Sequence, residues 1–67
     1  MPSDAAALLR DIDRHIRLAN QFVEGITSAA FQQDERTIFA VIRCLEVISE
    51  ASRRLPDALK ARHPSIP

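Results

Sequence analysis

The stretch from Asp34 to Leu55, DERTIFAVIRCLEVISEASRRL, constrains the fold of this chain more than any other. Its apolar residues do not alternate as a half-buried strand would require. They recur at three- and four-residue steps, the period of an α-helix. Ile38, Ala40, Val41, Ile42, Cys44, Leu45, Val47, Ile48, Ala51 and Leu55 together fill an arc of roughly 220° on the helical wheel. An arc that wide exceeds what one neighbouring helix covers, so it belongs to a central helix approached from several sides. Opposite runs a narrow ridge of Arg43, Glu46, Glu50, Arg53 and Arg54, with Phe39 at its upper end. Glu50 precedes Arg53 and Arg54 by three and four residues, and Arg43 precedes Glu46 by three, spacings that bring opposite charges together on a helix surface. The ridge is either a solvated, ion-paired face or a polar seam against another subunit. Charge runs on helices usually mean a solvated face, while the aromatic Phe39 within the ridge, which would otherwise be exposed, argues partway towards an interface.

The rest of the chain punctuates clearly into helices. Ser3 is placed to cap a first helix, with Asp4 where the helix dipole favours an anion. Ala5, Leu8, Leu9, Ile12, Ile16, Ala19 and Val23 give that helix an apolar stripe, and Gly25 ends it in a left-handed cap. Thr27 or Ser28 caps a short turn through Phe31, whose ring is expected to plug one end of a bundle. Asp34 caps the second long helix, expected over residues 35–54, with Glu35 in its first turn. Pro56 suits the first turn of a further short helix ending near Arg62, where its missing N–H costs nothing. Pro64 and Pro67 mark an extended loop. No period-two run and no Asn-Gly or Asp-Gly turn occurs, so the class is all-α.

Sixty-seven residues form one small domain near the lower limit for an independent core. Chains of this size rely on a disulfide, a metal or an oligomeric partner. Cys44 is the sole cysteine and no Cys/His cluster has zinc-ligand spacing, so no metal or other cofactor is expected and oligomerisation is the remedy left. Nine basic and nine acidic residues cancel, and no basic stripe is apparent, which disfavours a dedicated RNA-binding module or an anionic membrane as partner. The N-terminus lacks a basic region followed by a long apolar run. No segment approaches the roughly 18 apolar residues of a membrane span. A cytoplasmic location is expected.

Residues able to carry chemistry are few. Arg10 and His15 form an Arg-x4-His string, but on a continuous helix a five-residue step leaves the two side chains about 140° apart. His15 falls at the margin of the apolar stripe, where a partly buried structural histidine is expected, while Arg10 faces water with Asp13, Arg14 and Arg17. His63 closes a helix end, placed to meet the dipole and the last carbonyls. Cys44 lies within the apolar arc as an inert thiol. Phe22, Phe31 and Phe39 are too scattered to form a base-stacking platform. By themselves these residues define no catalytic, cofactor or metal site. The candidates left are the interface residues Phe39, Arg43, Glu46, Glu50 and Arg54.

A set of ordered motifs adds to this reading. Asp11-Ile12 in the first helix is followed by Phe22-Val23-Glu24-Gly25, a short helix around Phe31, and the capping pair Asp34-Glu35. Then come Ala40-Val41-Ile42-Arg43, Leu45-Glu46, Ile48, Glu50-Ala51, Arg54-Leu55-Pro56 and Pro64 to Pro67. In this order and spacing the chain resembles the HepT-like (HEPN-superfamily) toxins of HepT/MNT toxin–antitoxin systems, with Ser49 where that family usually has Gly. The resemblance implies an antiparallel helical bundle of two long helices plus short connecting helices, completed by dimerisation. It implies a ribonuclease toxin whose antitoxin is a small nucleotidyltransferase. The family's catalytic Arg-x4–6-His-x-Tyr motif lies in a last helix that this chain is expected to stop short of. Residues 1–67 are then the N-terminal part of the domain, supplying scaffold and dimer interface, with RNA a partner of a full-length version only. The competing reading, from another class, is a catalytically silent helical module that binds a nucleotidyltransferase. Whether this chain is an enzyme is left open by the sequence.

Overall fold

In the computed structural model, which describes residues 5–62, the periodic runs fold into three helices: α1 (Ala5–Val23), α2 (Ser28–Gln32) and α3 (Glu35–Arg62). No strand occurs among the described residues. The expectations placed on Ser3, Asp4, His63, Pro64 and Pro67 lie outside them. Gly25 adopts φ +74°, so α1 ends in the left-handed conformation that glycine reaches without strain. The Ile26 N–H donates to the Val23 carbonyl at 3.1 Å to close that end. Thr27, in extended geometry, accepts the Ala30 N–H on its Oγ1 at 3.1 Å and so caps α2. Asp34 caps α3 with both carboxylate oxygens. Its Oδ1 accepts the Thr37 backbone N–H at 3.1 Å, and its Oδ2 accepts the Thr37 hydroxyl at 2.6 Å. The hydroxyl bond first, and the backbone N–H next, hold the Asp34 carboxyl below its ordinary value.

α1 and α3 pack antiparallel, because Ala5 and Leu8 at the start of α1 meet Ala51, Leu55 and Ala58 late in α3. The seam on α3 is built from small residues seven apart. Cys44, Ala51 and Ala58 are 3%, 4% and 3% exposed. A seven-residue step returns a side chain almost to the same face, and small side chains there let the two backbones approach closely. Ala5 and Leu8 fill the seam from α1, with Ile12 half-buried beside them. Phe31 of α2 is half-buried near the other end of α3.

Pro56 does not start a new helix, as the sequence had led one to expect. It lies inside a single α3 that runs on to Arg62. Proline removes one helical hydrogen bond and crowds the preceding turn. Here Pro56 and Ser52, whose carbonyl loses its usual donor, are both exposed, so water can satisfy that carbonyl. Leu55 and Ala58 flank the proline and pack against α1. That packing keeps the helical phase through the weak point.

The result is an elongated hairpin with principal extents of 50 × 22 × 14 Å. Its radius of gyration is 15.5 Å, against about 11 Å for a compact domain of this length. Along most of its length α3 therefore meets one neighbour, α1, on a single side, with α2 against one end.

Candidate functional site

Since α1 covers only one side of α3, the wide apolar arc is divided. Its inner part is the seam. Its outer flank leaves Leu45 and Ile42 55% and 43% exposed, with Phe39 further round at 66%. The stripe on α1 divides in the same way: Ala5 and Leu8 are buried, whereas Leu9 and Ile16 are largely exposed. In an antiparallel pair the flank that follows the seam on each helix turns to the same side of the hairpin. Leu9 and Ile16 of α1 and Leu45 and Leu59 of α3 therefore form one exposed apolar face. Ile42 and Phe39 carry it round onto the outer surface of α3. An apolar surface shared by two helices marks a site of association more than scattered single residues do. Sequence periodicity put Leu9, Ile16, Ile42 and Leu45 in apolar stripes expected to be covered, set Phe39 on the opposite ridge, and did not single out Leu59. How many neighbours α3 would meet is a property of the fold.

The charged ridge runs along the outer edge of this face. Arg43 Nη1 and Glu46 Oε1 stand 3.9 Å apart, both largely exposed. Arg53 Nη2 and Glu50 Oε2 are 2.7 Å apart, and Arg53 Nη1 also donates to Ser49 Oγ at 2.8 Å. Exposed pairs of this kind contribute a few tenths of a kcal/mol each. Ile42 and Leu45 line the same shallow surface as Arg43, Glu46, Ser49, Glu50 and Arg53. On the side opposite the apolar face, Arg54 lines the groove between α1 and α3 together with Asp11, Val47 and Ala51, and Arg43, Glu46 and Glu50 of the ridge reach into the same groove. Of the five candidate interface residues, Arg43, Glu46, Glu50 and Arg54 line one continuous polar surface, and Phe39 stands apart at one end.

The remaining chemistry-bearing residues fall as the helical geometry requires. α1 is continuous through Arg10 and His15. Arg10 is exposed, whereas His15 is half-buried and donates its Nδ1–H to the Asp11 carbonyl at 2.7 Å. The two project from different faces and do not form an acid/base pair. Cys44 is buried in the seam as a free thiol. Among the described residues no group of His, Cys, Asp or Glu is placed to hold a metal ion. No helix among them is long and apolar enough to cross a membrane.

A helical scaffold with an open apolar face, carrying the ordered motifs of α1 and α3, agrees with the helical bundle that the resemblance to HepT-like proteins implied. Comparison with known proteins makes that resemblance specific. The sequence profile described as ribonuclease HepT-like matches residues 12–67, and the chain belongs to that family. It is 46% identical over 59 residues to a Thermococcus cleftensis protein named as a probable ribonuclease HepT, covering 88% of this chain and 54% of the relative. It is 38% identical over 64 residues to a Methanocaldococcus jannaschii protein that carries an RNase name, covering 96% of this chain and 53% of the relative. The chain therefore spans about half the length of the curated relatives it matches. No solved structure matches it.

Proposed function

We propose that these residues are the scaffold and dimer-forming part of a HepT-like ribonuclease toxin, one member of a toxin–antitoxin pair whose antitoxin is a nucleotidyltransferase. The observation that carries the reading is the family match over residues 12–67, joined to relatives named as ribonucleases. Catalysis is assigned to a protein of the relatives' full length. RNA cleavage needs an acid/base pair and cationic stabilisation of the transferring phosphate. Arg10 and His15 point apart on α1 and are not that pair. The role of residues 5–62 is then to position further helices and a second subunit. The exposed face of Leu9, Ile16, Leu45 and Leu59, bordered by Phe39 and Ile42, supports this, because burying it contributes about 25 cal/mol per Å² of apolar surface.

The test compares two proteins. The 67-residue chain should sediment as a dimer or larger at micromolar concentration and should cleave no RNA. A version extended to the relatives' length should cleave RNA and lose that activity when its motif histidine is replaced. A well-folded monomer would end the dimer reading. An extended version that binds a nucleotidyltransferase and leaves RNA intact would establish the silent interaction module instead. RNA cleavage by the 67-residue chain, abolished by His15→Ala, would show that α1 carries a site after all.

A further inference from the structure

We propose that Arg10, Arg14 and Arg17 form a track for the phosphate backbone of RNA along the outer face of α1. The idea rests on the ribonuclease reading, but it concerns a surface and residues to which that reading gives no role. The three arginines stand at i, i+4 and i+7 and so form one line on a helix. They line a common surface with Asp13, Leu18 and Gln21, on the side of α1 turned away from α3. All three are exposed.

Their charge is only partly answered within the fold. Arg17 Nε pairs with Asp13 Oδ2 at 3.0 Å. No carboxylate among the described residues lies within ion-pair distance of Arg10 or Arg14. On α3 the pattern is different, since Arg43 and Arg53 each face a glutamate three residues away. Like charges three and four residues apart weaken a helix. The arrangement on α1 therefore costs stability, and burial returns nothing for it. A ligand that neutralises the stripe would reverse that cost.

Guanidinium is suited to such a ligand. Its planar fork donates two parallel hydrogen bonds to a phosphate, and it stays charged at any physiological pH. The zero net charge of the chain does not oppose this, and the stripe that was not apparent in the sequence, where Asp11 and Asp13 interrupt the arginines, emerges on the outer surface of α1. A bound strand responds to charges within a Debye length of it, and α1 itself carries Arg10, Arg14 and Arg17 against only Asp11 and Asp13. Leu18 is the one apolar side chain lining the stripe, too little to seat the helix in a lipid interface.

The test is fluorescence anisotropy of a labelled single-stranded RNA titrated with the 67-residue chain across a salt series. Helicity of every variant is checked by circular dichroism. Arg10→Gln with Arg14→Gln should weaken binding by about tenfold at low salt and lower the slope of log K against log salt by about 1.4, two phosphate contacts' worth. Arg10→Lys with Arg14→Lys should keep most of that slope. Arg43→Gln with Arg53→Gln removes the same charge from α3 and should change affinity less than about twofold if the α1 track makes the contact. Equal losses in the α1 and α3 variants would overturn the proposal, as would no RNA binding by the parent chain. Binding to phosphatidylserine vesicles in place of RNA would overturn it in favour of a lipid surface. RNA cleavage by the extended protein that is undiminished by Arg10→Gln with Arg14→Gln would also overturn it, while leaving the ribonuclease reading intact.

Discussion

The two sides of α3 invert the usual order of burial. Cys44, Ala51 and Ala58 are almost fully covered, while the larger Leu45, Ile42 and Phe39 stand mostly in water. Large apolar side chains are normally the ones a fold hides. The difference shows that close approach, not bulk, defines the α1–α3 contact. Small residues let two backbones come together. The bulky side chains that would contribute most on burial are left on the open side. A seam of alanines stabilises modestly, so a chain of this size gains its margin from whatever covers the other face.

The sharpest way to break this comparison is to put a charge in the seam. Ala51→Glu would place an unpaired carboxylate where the exposure is 4% and where α1 leaves no room. The expected loss is about 3 kcal/mol or more, enough to abolish cooperative unfolding by circular dichroism. Full retention of helicity and of a cooperative melt would show that the seam does not hold the hairpin together.

Leu45→Asp probes the other side and should behave differently. At 55% exposure the new carboxylate stays hydrated, so a dilute monomer should keep its helical signal. If the apolar face associates, the same substitution should weaken assembly by about 2 kcal/mol, seen as a shift to monomer in sedimentation at fixed concentration. Equal damage from Ala51→Glu and Leu45→Asp at every concentration would erase the distinction between the two sides.

That distinction also marks the limit of what the sequence made legible. The helices, the left-handed Gly25, the Thr27 and Asp34 caps and the half-buried His15 all follow from local rules, because each depends on residues within a turn or two. Pro56 was misjudged because a local penalty was overridden by the packing of Leu55 and Ala58 on α1, a contact about 50 residues distant in sequence. The arc on α3 was read correctly as too wide for one neighbour. Which part a single neighbour takes depends on the antiparallel geometry, and that is not written in any one helix. Arg54 keeps the company of Arg43, Glu46 and Glu50 that its wheel position implied, but that their surface also borders α1 depends on the packing of the two helices.

A smaller effect is expected at the start of α3, where the seam and the open side share one cap. Asp34→Ala removes the acceptor of two Thr37 bonds and should lower the melting temperature by roughly 4–8 °C, the shift typical of losing one cap in a domain this small. The folded carboxyl lies below the ordinary aspartate value of 3.8. Its stabilising contribution is therefore fully present above that value and is lost as pH falls through the lower, folded one. Asp34→Ser keeps a capping oxygen and should remove this part of the acid dependence while sparing stability near neutral pH. An unchanged acid limb in Asp34→Ser would show that the cap does not set it.

The smallest effect should come from the ridge, and it decides what the ridge is. The Arg53–Glu50 pair is short at 2.7 Å, but its side chains are 67% and 60% exposed. Water and salt screen such a pair, and ordering two long side chains opposes it. A double-mutant cycle with Arg53→Ala and Glu50→Ala should return a coupling of about 0.3–0.5 kcal/mol in dilute solution, vanishing near 1 M salt. That outcome makes the pair a solvated border of the apolar face. A polar seam between subunits behaves differently, because a desolvated pair couples more strongly and its coupling appears only when the partner is bound. The cycle is therefore repeated above and below the concentration at which the chain associates. Coupling that rises with association places Arg53 and Glu50 inside the contact, and coupling that stays small and concentration-independent leaves Leu9, Ile16, Leu45 and Leu59 to carry it.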